Sequence, residues 1–237
     1  MRDSSRVLSA SMVAVSSFLA GCAGLAGEDA TTAVAGPIKG GDHGDFQITS
    51  PAFADGAPIP DENTCNGKPF GSGTSPALEW ANAPQHTMSF AIVFKDTSLT
   101  TATPIDNRGW HWVIWDIQKN TNQLPAALAS SEFLDEPRTA RQWSRYSPFG
   151  YLGPCPNFDP TNIPIHTDRY AFVLYALGDK ILDFPPPDPA IANYTRVMDE
   201  FLAARAIAAT ELRGSAAAIP SAPPVPPGPP PAPSPRP

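Results

Sequence analysis

The chain has 237 residues, and its 23 acidic and 16 basic side chains give a formal net charge of -7 at pH 7. Because acids outnumber bases and no basic stripe occurs, the sequence argues against a nucleic-acid-binding protein. It also contains no phosphate loop, dinucleotide fingerprint, His-Glu-x-x-His zinc motif or Gly-x-Ser-x-Gly nucleophile turn. We therefore expect no cofactor and no metal site, and the commonest hydrolase chemistries are disfavoured.

The first 21 residues are typical of a bacterial export signal. A short basic start precedes an apolar stretch over residues 7–19, which is too short and too serine-rich to be a stable membrane span. It ends in Leu19-Ala20-Gly21-Cys22, which resembles the lipobox of bacterial lipoproteins. That resemblance implies a signal peptide over residues 1–21 and a lipid anchor on Cys22. Since Ala23 and not Asp follows, it favours the outer membrane over the inner. The alternative is an ordinary secretory signal cleaved near Ala23 or Ala26, which would leave a periplasmic or secreted protein.

Composition divides the remaining chain into three parts. Residues 22–44 are rich in Gly and Ala without periodicity, which predicts a flexible tether after the lipidated Cys22. Residues 45–214 are long enough for one domain with one core. Residues 215–237 are dominated by proline, which predicts a disordered tail.

Cys65 and Cys155 remain once Cys22 is set aside. An even number of cysteines in an oxidising compartment favours a disulfide between them, with two unrelated buried thiols as the alternative. Two cysteines alone cannot make a zinc site, and no histidine stands at ligand spacing from either.

Four segments alternate or are rich in strand-forming residues, namely 46–50, 88–95, 111–117 and 170–177. Proline and glycine clusters separate them, which predicts an antiparallel β domain. One helix is also predicted: it begins at Asp188 with Pro189 in its first turn, carries an apolar stripe from Ile191 to Leu202, and ends at Gly214.

His111 lies in the third of these segments, among Trp, Val and Ile. Strict alternation predicts Trp110, Trp112 and Ile114 on one face of the strand and the side chains of His111, Val113, Trp115 and Ile117 on the other. Both faces are apolar, so we expect a central strand covered on both sides. A histidine there is either a hydrogen-bonded core residue or part of a pocket.

Four segments, in order, resemble the phosphatidylethanolamine-binding protein (PEBP) family and its bacterial branch described as Raf-kinase-inhibitor-like. They are Ser-Pro-Ala-Leu-Glu-Trp at 75–80, the strand ending in Asp96, His-Trp-Val at 111–113, and Gly-Tyr-Leu-Gly-Pro-Cys-Pro at 150–156 followed by residues 169–172. Residues 207–214 also resemble the family's terminal helix. The resemblance implies a mostly β fold: an antiparallel β-sandwich with a C-terminal helix and few peripheral helices.

The resemblance also implies a small surface pocket that holds an anion, such as a phosphate or a phospholipid headgroup. Asp96 would orient His111 or meet an ammonium group, and a protonated or donor-oriented His111 would face the anion. Gly153, next to Pro154, would bring a backbone N–H close to an oxyanion, and Tyr170 would add a phenolic donor.

One departure from the family concerns this pocket directly. The family's usual His-Arg-Tyr is here Asp168-Arg169-Tyr170, so an acid replaces the second pocket histidine. His166 is a candidate to occupy the same pocket. If Asp168 points inward, its carboxylate weakens anion binding through like charge and desolvation.

Together these features predict a non-enzymatic binding protein of the bacterial cell envelope. Its ligand would be an anionic or phosphorylated small molecule or lipid headgroup, and a protein partner would give it an inhibitory or signalling role. One alternative is a structural envelope lipoprotein that acts through contacts of its proline-rich tail. The other is a hydrolase with His111 as base and Asp96 as its orienter, although no nucleophile accompanies them.

Overall fold

The computed structural model describes residues 45–66, 68–69, 71–145, 149–156, 166–180 and 193–218. The expected signal peptide, Cys22, the tether and the tail beyond residue 218 lie outside the described residues, as do Asp188 and Pro189. Across the described ranges, no helix has the length and apolar character needed to cross a membrane.

The described residues form two antiparallel sheets and two α-helices. The strands are β1 (Gln47–Thr49), β2 (Leu78–Ala81), β3 (Ser89–Asp96), β4 (Trp110–Gln118), β5 (Gln123–Leu124), β6 (Arg141–Ser144), β7 (Thr167–Leu177) and β8 (Ala206–Ala217), and the helices are α1 (Thr97–Thr100) and α2 (Tyr194–Arg205). The small sheet has the order β1-β2-β5 and the large sheet the order β6-β4-β3-β7-β8. The predicted mostly β, antiparallel fold class is confirmed.

The large sheet is covered on both faces. On one face Phe90, Ile92 and Phe94 of β3 pack with Trp80 and other side chains of the small sheet. On the other face Val93 and its neighbours pack against α2. Since alternate residues of a strand point to opposite faces, β3 contributes to both cores. The central strands are therefore apolar almost throughout, as predicted for β4.

Strand β4 does not alternate strictly, and the predicted sorting of its side chains is wrong at both ends. Its pairing with β3 shifts register between Phe94 and Lys95 and again between Phe90 and Ile92. Each shift inserts one extra residue, which reverses the direction of the side chains beyond it. Trp110 therefore joins the core under α2, apart from Trp112, and Ile117 lies between the sheets.

The first of these irregularities decides where His111 points. Phe94 pairs with Trp112 and Lys95 with Trp110, so His111 is the residue left over. Its ring lies 5.5 Å from the ring of Phe94 and 5.7 Å from that of Tyr170. The bulge thus turns His111 toward the end of β3, where Asp96 lies.

The predicted helix through Gly214 is wrong beyond residue 205. Residues 206–217 form β8, which pairs with β7 along its length. From Glu211 to Ala217 exposed and covered residues alternate, a strand period that the alanine-rich start of the segment obscures. The resemblance of 207–214 to a terminal helix is therefore also wrong. Gly214 serves close packing, because a Cβ there would lie 2.6 Å from Cγ1 of Ile59.

The predicted disulfide is confirmed. Cys65 and Cys155 are bonded, with their Cα atoms 5.2 Å apart. The backbone N–H of Cys65 also donates to the carbonyl of Pro154 at 2.9 Å. The disulfide therefore attaches the segment 150–156, which lies beside His111, to the segment 61–66.

Candidate functional site

Asp96 ends β3, and its side chain is almost wholly buried, with 2% of the residue exposed. One carboxylate oxygen accepts hydrogen bonds from the backbone N–H groups of Ser98 at 2.8 Å and Leu99 at 3.3 Å, which caps α1. Tyr170 pairs with Asp96 across β3 and β7, and its hydroxyl donates to the same carboxylate. Asp96 is thus both a helix cap and the centre of a buried polar group.

Asp168 lies close to this carboxylate. It precedes Tyr170 by two positions on β7 and so shares its side of the strand. Burial raises the pKa of Asp96, and the charge of Asp168 raises it further; the N–H donors of Ser98 and Leu99 and the Tyr170 hydroxyl oppose this, leaving a pKa of about 7. Asp168 therefore points into the site, and its carboxylate lies close to that of Asp96.

His166 lies beside Asp168. Its Nε2 is 3.3 Å from Oδ2 of Asp168, and the two side chains are 26% and 17% exposed, respectively. Nδ1 of His166 is buried without a hydrogen-bond partner. His166 was the candidate to replace the family's second pocket histidine. In the structure it contacts Asp168, at the outer, partly exposed side of the site.

His111 is buried and neutral at pH 7. Its Nδ1 lies 3.3 Å from the carbonyl oxygen of Leu152, and because a carbonyl only accepts, the proton is on Nδ1. Burial lowers the pKa of His111 to about 4; the carbonyls of Leu152 and Gly153 oppose this, and the charge of Arg145 adds to it. Nε2 of the neutral ring is therefore an acceptor, whereas the resemblance implies a protonated or donor-oriented His111.

Gly153 and Pro154 belong to the segment that holds His111. A Cβ on Gly153 would lie 2.4 Å from the carbonyl oxygen of Asn63, so only glycine allows the two backbones to approach. Pro154 supplies the carbonyl that accepts from Cys65. Both residues thus position the Leu152 carbonyl, while their contact with a ligand stays a prediction.

Tyr151 belongs to the same buried group, although its sequence pattern did not predict a place in the site. Its ring packs 5.3 Å from that of Phe94 and 5.7 Å from that of Trp112. Its hydroxyl is buried without a hydrogen-bond partner, yet close enough to Tyr170 to contribute to the raised pKa of that phenol. The sequence signal was its place between Gly150 and Gly153, but a tyrosine in such a segment usually indicates core packing.

The site therefore consists of Asp96, His111, Tyr151 and Tyr170 inside, with Asp168 and His166 toward solvent. Its polar atoms include two carboxylates and a neutral imidazole, which are groups that accept hydrogen bonds. Nowhere in the described ranges do three or more His, Cys, Asp or Glu side chains cluster so as to hold a metal ion.

A sequence profile of the phosphatidylethanolamine-binding protein family matches residues 49–216, more than half of the chain. The chain belongs to this family. The match confirms the resemblance stated from the motifs, and it includes every residue of the site.

Relatives of this chain include several UPF0098 proteins. The UPF0098 protein of Aquifex aeolicus is 31% identical over 142 residues, covering 60% of this chain and 73% of that protein. The UPF0098 protein YbhB of Escherichia coli is 26% identical over 139 residues, covering 58% and 82%.

The fold is also that of a solved PEBP structure. The crystal structure of E. coli YbcL, described as a new member of the mammalian PEBP family, matches with a TM-score of 0.54 at 24% identity. The match covers 73% of this chain and 98% of YbcL. At this identity the likeness shows the fold alone.

Proposed function

We propose that this PEBP-family chain is a non-enzymatic binding protein that holds a small phosphorylated ligand or a phospholipid headgroup at the Asp96 site. The observation that carries the proposal is the convergence of Asp96, His111 and Tyr170 from three segments of the large sheet. All three are at least nine-tenths buried. Burying polar side chains costs free energy, and a ligand site is a common reason for a protein to retain them. Lipid attachment at Cys22 would hold this site at the cell envelope.

The geometry favours binding over hydrolysis. When a histidine acts as a general base, a carboxylate accepts a hydrogen bond from its imidazole N–H and raises the basicity of the ring. Here the Leu152 carbonyl holds Nδ1 of His111, and the low pKa of about 4 makes this ring a weak base. Asp96 is occupied by its cap hydrogen bonds and by Tyr170. These contacts support a site that orients a ligand without reacting with it.

The test is a titration of the purified full chain with phosphoethanolamine at pH 7, followed by isothermal titration calorimetry and by tryptophan fluorescence. Trp110 and Trp112 flank His111, so the fluorescence should respond to occupancy. We expect saturable binding that weakens at least about tenfold in His111→Ala, because the side chain at the centre of the site is gone.

The matched control is His86→Asn, which changes an exposed histidine. Asparagine tolerates the left-handed backbone there, at φ 70°. This variant should bind like the wild type. Absence of saturable binding, or binding that His111→Ala leaves unchanged, would refute the proposal.

A further inference from the structure

Asp199, on α2, lies on the face of the large sheet opposite to the candidate site. Its Oδ2 accepts hydrogen bonds from Nζ of Lys95 and from Nε1 of Trp110, both at 2.8 Å, whereas its Oδ1 accepts from the Tyr175 hydroxyl at 2.6 Å. Lys95 and Trp110 pair across β3 and β4, and they close the bulge that leaves His111 over. One carboxylate oxygen therefore holds both strands at the point where the register shifts.

This bulge decides which face of the large sheet receives His111. Strict alternation along β4 would place His111 under α2 and Trp110 between the sheets. In the structure the two are exchanged: Trp110 lies in the core under α2, and the His111 ring packs near the rings of Phe94 and Tyr170. A bulge reverses the direction of the side chains beyond it. The place of Trp110 and the direction of His111 are therefore two consequences of one register.

Helix α2 holds Trp110 by more than its indole N–H. The Thr195 hydroxyl donates to the carbonyl oxygen of Trp110 at 3.1 Å, and the Arg196 guanidinium lies 5.3 Å from the centre of its ring. Thr195, Asp199 and Trp110 are all at least nine-tenths buried, and hydrogen bonds shielded from water are electrostatically stronger than exposed ones. Moving Trp110 to the other face would remove these bonds and leave buried polar groups without partners, which is costly.

We infer that Asp199 is a positioning residue of the candidate site: by holding Lys95 and Trp110 it fixes the bulge in β4 and so keeps the His111 imidazole directed at the site. The inference rests on the proposed function, because it treats His111 as a residue that contacts the ligand. The groups that donate to Asp199 lie on the α2 face, so its effect reaches His111 through the backbone of β4. A merely structural role would be to fasten α2 to the sheet, and the Tyr175 bond also serves that role.

The matched variants are Trp110→Phe and Tyr175→Phe. Each keeps an aromatic ring and removes one hydrogen bond to Asp199, the first at Oδ2 and the second at Oδ1. A merely structural role predicts the same outcome for both. Positioning predicts that only Trp110→Phe changes the site, because Tyr175 lies opposite Ala91, away from the bulge along β3. Asp199→Ala tests the carboxylate directly.

The first readout is the nitrogen NMR signature of the His111 ring, recorded at pH 7 on the full chain with isotope-labelled histidine and assigned by its absence from His111→Ala. The wild type and Tyr175→Phe should both show a ring protonated at Nδ1, because that N–H donates to the Leu152 carbonyl. Trp110→Phe and Asp199→Ala should lose this signature, since the ring no longer reaches that carbonyl. Loss of stability alone would not move this signal in the folded protein.

The second readout is the affinity for phosphoethanolamine, measured by calorimetry at pH 7. Trp110→Phe and Asp199→Ala should weaken binding at least about tenfold, as His111→Ala does, because the imidazole no longer faces the ligand. Tyr175→Phe should stay within about twofold of the wild type, because its change is remote from the site.

Thermal unfolding verifies that each variant is folded, and Trp110→Phe decides the outcome if Asp199→Ala is not. If Trp110→Phe keeps the wild-type signature of His111, or if Tyr175→Phe loses it as well, the inference is overturned while the proposed function stands. If the wild type itself binds no phosphoethanolamine, the proposed function fails, and the signature of His111 alone decides whether Asp199 directs this ring.

Discussion

The large sheet carries a buried aspartate bonded to a tyrosine on each of its faces, and the two pairs have different surroundings. Under α2, Asp199 accepts from the Tyr175 hydroxyl at 2.6 Å, from Nε1 of Trp110 at 2.8 Å and from Nζ of Lys95 at 2.8 Å. On the other face Asp96 accepts from Tyr170 and two backbone N–H groups, and it faces Asp168.

The difference is one of charge balance. Asp199 has a lysine and two neutral donors, so its network is compensated and joins α2 to strands β3, β4 and β7. Among the described residues no lysine or arginine contributes to the shifted pKa of Asp96, whereas the carboxylate of Asp168 does. A compensated buried charge favours a structural role, whereas a buried carboxyl with a strongly raised pKa is common at functional sites. Four measurements test whether the two aspartates differ in this way.

The largest expected effect comes from the Cys65–Cys155 disulfide, which attaches the segment 150–156 beside His111 to the segment 61–66. It closes a loop of 90 residues, so removing it with Cys65→Ala/Cys155→Ala should lower the free energy of unfolding by about 4 to 5 kcal/mol on the chain-entropy estimate. Urea unfolding measures this loss. Amide hydrogen exchange should rise most in residues 150–156, and an equal rise in α2 would remove the distinction between the faces.

The next effect is on the compensated side. Asp199→Ala leaves Lys95, Trp110 and Tyr175 without their shared acceptor, and breaking a buried pair in this way costs about 3 to 5 kcal/mol. The measurement is again urea unfolding. Glu200→Ala, which removes the exposed ion pair with Arg196, is the neighbouring control and should cost less than about 1 kcal/mol. Equal losses in the two variants would contradict the structural role of Asp199.

The third effect is a pH dependence that originates at Asp96. Its pKa is raised from 3.8 to about 7 in the folded protein, so the folded state binds more protons than the unfolded state between these values. The stabilisation is complete below the unfolded pKa and is lost as pH rises through the folded pKa. From pH 5 to pH 8 the free energy of unfolding should fall by about 2 to 3 kcal/mol from this group.

Asp96→Asn isolates that contribution, because asparagine caps helices as well as aspartate does but does not titrate. Subtracting the variant's pH profile from that of the wild type leaves the contribution of Asp96 together with its interaction with Asp168. A difference profile that stays flat, or rises with pH, would contradict the excess of negative charge assigned to this site.

The smallest effect compares the two tyrosines. Tyr175→Phe removes the hydrogen bond from the Tyr175 hydroxyl to Asp199 and should cost about 1 to 2 kcal/mol. Tyr170→Phe should cost a similar amount at pH 8 and less at pH 5, since Asp96 is protonated there. Thermal unfolding at the two pH values measures both. The comparison fails if Tyr170→Phe costs the same at each pH.

Much of the fold was predictable from local pattern. The strands β3, β4 and β7 are near-continuous apolar segments, so their existence and burial follow from side-chain chemistry. Strand β6 was missed because Arg141-Gln142-Trp143-Ser144 is polar by composition, although Gln142 and Ser144 are buried. Gln142 lies there because its side chain bonds Nε1 of Trp112 and two backbone carbonyls, partners far away in the sequence.

The candidate site was likewise only partly predictable from the sequence. Motifs in chain order predicted Asp96, His111 and Tyr170 as site residues, and the structure brings them together with Asp168. The network of Asp199 was not predicted, because Lys95, Trp110 and Tyr175 each look like ordinary strand residues until the register places them opposite α2.

The sequence alone therefore determined the family, the mostly β class, the cysteine pair and the set of chemical groups available, since these depend on residue identity and local period. Only the tertiary structure decided which way His111 points, because the bulge in β4 arises from its pairing with β3. It likewise decided that Asp168 faces Asp96 and that residues 206–217 are a strand. A side chain's direction and charge environment depend on strand register, which distant segments set jointly.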